Sequence, residues 1–315
     1  MTNLSQGSIR LFRVAGISVF LNWSWFVVAL FEINGRANKY SSVMWNVLEY
    51  LSLFAIVTLH EFGHALACRQ VGGTADRIVL WPMGGVAYVN PPPRPGAMLW
   101  SIAAGPLVNV ALVPVFLLIG IVGGSAGWVV TMPNAHTFLQ SIAYINLGLL
   151  IFNILPIYPL DGGQILRSLL WFVIGRARSL MAATIVGFAG AFGLIALAAW
   201  LRSVWFVAIA VFVLMNCWKG FQVARQLSGI AKSPRRSGFA CPSCQTGPPA
   251  GTLWTCNRCK TTFDTFQTQA VCPGCATRFA QTQCLDCGKL HPMSEWITSP
   301  PKPVEVQPAP TFQNV

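Results

Sequence analysis

The chain has 315 residues, 54% hydrophobic and only 10% charged, with 12 Trp and 20 Phe. A water-soluble domain carries about a quarter charged residues, so this composition excludes an ordinary soluble enzyme and makes lipid the solvent for most of the chain. The net charge of +12 informs through where the basic residues fall more than through its total.

In chain order, residues 8–21 come first, rich in β-formers around Gly16, and predict extended backbone. A bilayer-spanning helix needs about 20 apolar residues, and such spans fall near 22–40, 45–68, 97–121, 137–156, 180–199 and 203–218. Asn22, Ser24 and Glu32 interrupt the first, which lacks a small-residue cleavage site, so no cleavable signal peptide is expected. Glu49 is an isolated acid near the outer end of the second span and reads as interfacial.

The second span ends in His60-Glu61-Phe62-Gly63-His64. On a helix, positions i and i+4 share a face, so both imidazoles can hold one zinc ion at about 2.0–2.1 Å. Glu61 adjoins the first ligand and reaches the metal's water rather than the metal. Two His and a Glu in an apolar span are costly without a function.

Residues 76–89 follow as strand, turn and strand, turning at Pro82-Met83-Gly84-Gly85. Extended backbone near a membrane must be paired or face a cavity. The two β-rich stretches are therefore expected to form one small sheet at the cytoplasmic surface. The hairpin is either structural or an edge to which substrate adds as a strand. In the third span, Gly105, Pro106 and Asn109 read as close-packing residues, with Asn109 able to hydrogen-bond near the second span. His136 in the outer loop reads as solvated.

A structural zinc site closes with four protein ligands, whereas a catalytic one has three and an open position. A third ligand must therefore come from elsewhere in the chain. Residues 153–163, Asn-Ile-Leu-Pro-Ile-Tyr-Pro-Leu-Asp-Gly-Gly, break the fourth span with two prolines and permit a tight turn with two glycines. Asp161 is the only acid between Asp76 and Asp264. On the residues alone it is either the third ligand or a cap on the helix that follows. The apolar stretch 163–175 is too short to span.

Basic residues alternate between loops. Arg10 and Arg13 precede the first span; Arg69, Arg77 and Arg94 follow the second; Arg167, Arg176 and Arg178 follow the fourth; Lys219, Arg225, Lys232, Arg235 and Arg236 follow the sixth. The other loops hold Arg36 and Lys39, then none, then Arg202. The pattern predicts a multi-pass protein of the cell inner membrane with both termini cytoplasmic.

These paired motifs resemble the site-2 protease family of intramembrane metalloproteases, over roughly residues 7–220. His60-Glu61-Phe62-Gly63-His64 and the 153–163 segment carry the resemblance, with weaker support from 105–109 and from residues 16–25. It implies that Asp161 is the third zinc ligand and that Asn153 is an active-site polar residue, orienting substrate or stabilising an oxyanion. It implies hydrolysis of transmembrane substrate proteins, with Glu61 as general base. The arrangement is similar to the compact six-span branch, without an insertion large enough for a PDZ or CBS module. A reading from another class is a zinc-binding scaffold or transporter that does not hydrolyse.

Cys68 and Cys217 lie in apolar stretches and read as inert core residues. The other eight cysteines form Cys-x-x-Cys pairs, Cys241/Cys244, Cys256/Cys259, Cys272/Cys275 and Cys284/Cys287, which resemble zinc ribbons. Thiolate metal sites suit a reducing compartment, in agreement with a cytoplasmic tail. Pairing in sequence order is expected, with an interleaved arrangement open. From residue 219 the excess of basic over acidic residues falls to roughly +2 once eight thiolates and two zinc ions are counted. That is too weak for a nucleic-acid footprint, and a cytosolic protein partner fits better.

The expected architecture is a helical multi-pass membrane protein of about six spans, with a small cytoplasmic sheet and C-terminal zinc-ribbon-like modules. The expected boundaries are a protease domain at 1–220, a linker at 221–240, the ribbons at 241–290 and a disordered Pro-rich end at 291–315. One catalytic and two structural zinc ions are expected.

Overall fold

The computed structural model describes residues 7–35, 39–81 and 84–298, divided into two compact units between Leu227 and Ser228. The expected turn at Pro82-Met83, Arg36 and the end beyond residue 298 lie outside the described residues, as does the side chain of Glu32.

The first unit begins with β1 (Ser8–Val14) and β2 (Ile17–Asn22), followed by α1 (Ser24–Gly35) and α2 (Val43–Gln70). Then come β3 (Thr74–Trp81), β4 (Gly84–Asn90), α3 (Pro95–Ser125), the short α4 (Trp128–Thr131), α5 (Pro133–Ile154), α6 (Asp161–Ile174), α7 (Arg176–Leu201) and α8 (Val204–Lys232). Among the described residues, five helices are long and apolar enough to cross a membrane: α2, α3, α5, α7 and α8.

The first expected span, 22–40, is described only in part. Residues 17–22 pair in a strand, and Asn22 Oδ1 accepts from the Ser24 amide at 3.0 Å, starting α1 there. The described part of this helix has 12 residues, about 18 Å at 1.5 Å per residue against a bilayer core of about 30 Å, and residues 36–38 of the expected span lie outside the described residues. The helix of the sixth expected span runs further than its apolar stretch: no proline occurs before Pro234, and α8 continues to Lys232, through most of the expected linker.

The two β-rich stretches form one sheet, ordered β1-β2-β3-β4. β2 and β3 run parallel, joined through α1 and α2, and the outer pairs are antiparallel. Ile17, Val19, Ile78 and Leu80 of the sheet pack with Val57, Ala65 and Cys68 of α2 in one buried cluster. The Arg69 guanidinium binds the carbonyls of Ala15, Gly16 and Ala75, fastening the last turn of α2 to the β1–β2 turn and to β3. Glu49 is not isolated. It is 4% exposed, because Lys39 Nζ meets both its oxygens at 3.0 and 2.9 Å and Ser141 of α5 at 2.7 Å, and Tyr40 donates to it as well.

The chain between α5 and α6 is broken by Pro156 and Pro159, as expected. The two following glycines serve close approach. A Cβ at Gly162 would lie 2.1 Å from the Ile154 carbonyl oxygen, and one at Gly163 2.3 Å from the Tyr158 nitrogen.

The second unit is built from four two-residue strands, β5 (Trp254–Thr255), β6 (Thr262–Phe263), β7 (Thr282–Gln283) and β8 (Leu290–His291), around its cysteines. Packing continues past the expected boundary at residue 290: Trp296 is fully buried against Phe266, ring centroids 4.9 Å apart. Asp264 turns the chain, accepting from the amides of Gly251, Phe266 and Gln267 and from Arg236. Burial would push its pKa up, but the Gly251 amide and the Arg236 guanidinium outweigh burial and hold it below the usual carboxylate value.

Candidate metal centre

His60 and His64 are one helical turn apart on α2 and are 5% and 6% exposed. A buried amide ladder settles the tautomer of His60. Asn146 Nδ2 donates to the Asn109 carbonyl at 3.0 Å, and a carbonyl only accepts, so Asn146 Oδ1 must face the other way. There it receives Asn109 Nδ2 at 2.8 Å, which turns Asn109 Oδ1 toward His60 Nδ1 at 2.6 Å. That imidazole nitrogen therefore carries the proton. His64 Nδ1 likewise faces the Ser101 carbonyl at 2.9 Å.

In the neutral imidazoles this leaves both Nε2 atoms as bare lone pairs, 3.1 Å apart. Asp161 is the first residue of α6. Its carboxylate turns away from a capping role, with Oδ2 3.0 Å from His60 Nε2 and 3.3 Å from His64 Nε2. Three acceptors packed this closely repel unless a cation lies among them. Tetrahedral zinc with bonds of about 2.0–2.1 Å separates neighbouring ligand atoms by about 3.3 Å. The donor set fits that ion, and the second turn of hydrogen bonds around it is the kind that orients ligating imidazoles.

Space for the ion comes from α3. A Cβ on Gly105 would lie 2.2 Å from His64 Nε2 and 2.8 Å from His60 Nε2. Glu61 belongs to the same buried group as the two His. Its Oε2 accepts from the Ala87 amide of β4 at 2.9 Å, and a Cβ on Gly85 would collide with its carboxyl at 2.4 Å. Asn153 is half-buried, and its side chain makes no hydrogen bond among the described residues.

Of the two readings given for Asn109, packing and hydrogen bonding near the second span, the structure shows the second: its Oδ1 holds His60. Asn146 and Gly105 were not recognised as parts of the site. The available signals were an Asn inside the apolar span 137–156 and the four-residue spacing from Gly105 to Asn109, which puts both on one helix face.

The eight tail cysteines form two four-sulfur groups, but neither in sequence order nor interleaved. The grouping is nested: Cys241 and Cys244 with Cys284 and Cys287, and Cys256 and Cys259 with Cys272 and Cys275. Cys241 lies 3.6 Å from Cys287 and Cys244 3.8 Å from Cys284. Cys256 lies 3.6 Å from Cys275 and Cys259 3.5 Å from Cys272. A disulfide would need about 2.05 Å, whereas zinc–sulfur bonds of about 2.3 Å place sulfurs about 3.8 Å apart. The ends of the unit decide the nesting. Phe239 bridges Ile297, and the Ala240 amide donates to the Trp296 carbonyl at 2.8 Å, so the first knuckle meets the last.

A buried His-His-carboxylate triad with an adjacent glutamate, set among membrane-crossing helices, defines the class: a multi-pass membrane protein with a metallopeptidase-type donor set. The sequence profile of peptidase family M50 matches residues 49–131 and 122–197. A zinc metalloprotease of Methanocaldococcus jannaschii is 35% identical over 180 residues, 57% of this chain and 50% of that protein. A Synechocystis protein bearing the zinc metalloprotease name is 30% identical over 243 residues, 69% of this chain and 62% of that protein. The chain thus spans between half and about two thirds of the length of these relatives. The structure of the site-2 protease from M. jannaschii is similar with a TM-score of 0.50 at 28% identity, covering 68% of this chain and 95% of that one. The chain belongs to peptidase family M50. The cysteine knuckles lie outside the residues that the family profile matches.

Proposed function

We propose that the chain is an intramembrane zinc endopeptidase that hydrolyses peptide bonds of transmembrane proteins. The observation that carries this reading is the convergence of His60 Nε2, His64 Nε2 and Asp161 Oδ2 within 3.3 Å, beside a glutamate that is not one of the three. These three residues would hold the ion, leaving one position open. Zinc, when bound, acidifies water to a pKa of about 7 and acts as a Lewis acid on the scissile carbonyl.

Glu61 takes a proton from the attacking water and passes it to the leaving amine. The Ala87 amide fixes its Oε2, leaving Oε1 for proton transfer. The Asn153 amide is uncommitted among the described residues and is available to orient the substrate or stabilise the developing oxyanion. β4 is an edge strand bonded to Glu61, so an extended segment pairing with it would run past the general base.

The loop charges favour an inner-membrane orientation with both termini and the sheet cytoplasmic. The second unit is read as a protein-docking module with two structural zinc ions, which makes three per chain. Glu61→Gln should abolish cleavage of a membrane substrate, detected as loss of released fragments, with the zinc content unchanged. Cleavage at the wild-type rate overturns the proposal. Zinc flux into liposomes that survives Glu61→Gln identifies a transporter instead.

A further inference from the structure

Asp161 reaches the imidazoles from the end of a loop, since α5 stops at Ile154 and α6 starts at Asp161 itself. Something must therefore hold that loop in place. On one side Gly162 and Gly163 press against the loop's own backbone. On the other, Ile157 and Tyr158 leave the loop and pack with a buried cluster of Ala191, Leu194, Ala210, Val213 and Cys217, contributed by α7 and α8.

The fit is close. Cys217 Sγ donates to the Tyr158 carbonyl at 3.0 Å. A Cβ on Gly187 would lie 2.9 Å from that same oxygen, one on Gly190 2.5 Å from Ile157 Cγ1, and one on Gly220 2.8 Å from Tyr158 Cε1. Gly193, three residues beyond Gly190 on the same helix, has nothing within 4 Å. The helix pair thus lacks side chains where the loop is seated, while a glycine elsewhere on α7 faces open space.

We infer that Ile157 and Tyr158 are positioning residues that key the Asp161 loop into α7 and α8, so that a helix pair with no donor of its own sets the third donor of the metal centre. This rests on reading His60, His64 and Asp161 as metal ligands. The physical basis is tolerance. Ordinary carbon–carbon contact begins near 3.5 Å, so a side chain at 190 must push Ile157 by about 1 Å. Metal–ligand distances tolerate only about 0.2 Å, and Asp161 is four residues along the same short loop.

The test uses the full chain in detergent, with zinc per chain measured by mass spectrometry after equilibration against a graded chelator. Wild type should hold three ions, one for each donor group. Gly190→Val should weaken the membrane site at least about tenfold, leaving the two tail ions, while Gly193→Val keeps all three. Adding Ile157→Ala to Gly190→Val removes the atoms the new side chain meets and should restore the third ion. Tyr158→Phe should keep it and Tyr158→Ala should lose it, a pair that decides the matter even if Gly190→Val does not fold.

Wild-type affinity in Gly190→Val, no rescue by Ile157→Ala, or equal behaviour of the two Tyr158 variants overturns the inference. A wild-type chain holding only the two tail ions overturns the donor reading itself, and this inference with it.

Discussion

In the membrane unit the candidate donors are His60, His64 and Asp161, brought from α2 and the start of α6 across about a hundred residues of sequence. In the second unit they are thiols in four local knuckles, each with its two cysteines three residues apart. The first set is oriented by groups that stand without an ion: the Asn109–Asn146 ladder, the Ser101 carbonyl, and a glycine wall on α3. The second set is its own scaffold. Both buried clusters of that unit contain cysteines of the four-sulfur groups, Cys241 and Cys284 in one, Cys256 and Cys272 in the other. A small unit with so little apolar core needs staples. On the proposed reading, one unit uses its fold to make a metal site, and the other uses metal sites to make a fold.

That contrast breaks most readily at a knuckle. Cys241→Ser removes a ligand of the outer site, and the loss is on the order of 10 kcal/mol of folding free energy if the ion supplies it. The second unit should lose protection from proteolysis while the membrane helices keep theirs. A second unit that stays protected would end the distinction. A smaller loss is expected inside the membrane unit from Glu49→Ala, which strands Lys39 beside Ser141. Breaking such a pair costs about 3 kcal/mol, at the low end because the Lys39 side chain is 30% exposed. The melting temperature in detergent should fall with zinc content unchanged.

Asn146→Ala sharpens the contrast from the side of the metal. With its ladder cut, His60 loses the constraint on its tautomer, and zinc affinity at the membrane site should fall about ten- to a hundredfold by chelator competition. The tail sites should not respond. The smallest effect is expected for Arg235→Ala, which removes a two-point ion pair to Asp286 at 2.6 and 3.0 Å. Both side chains are partly exposed, and denaturant titration of the second unit should shift by no more than about 1 kcal/mol.

Much of the site was legible because helical spacing is a local property. His60, Glu61 and His64 share a turn, and a solitary acid beside two prolines stood out in an apolar background. Asn109 and Asn146 were less legible. Each looks like a tolerated polar residue until the other is seen opposite it. Glu49 misled for the same reason: its partner Lys39 is ten residues away, across a segment that is not helical throughout. The sheet was legible because its β-rich stretches lie outside the long apolar runs, whereas the end of the last helix was not, because hydropathy marks where a span is apolar and not where its helix stops.

By itself, the sequence determined that the chain lives in lipid, that it carries an H-E-x-x-H helix, a broken span with one carboxylate, and thiol knuckles in sets of two. Those are statements about composition and spacing within a few residues. The tertiary structure alone decided which nitrogen of each imidazole is bare, which knuckles share a site, and where Asp161 points. Each depends on groups far apart in the chain meeting at hydrogen-bond or van der Waals distance, and no local pattern encodes that meeting.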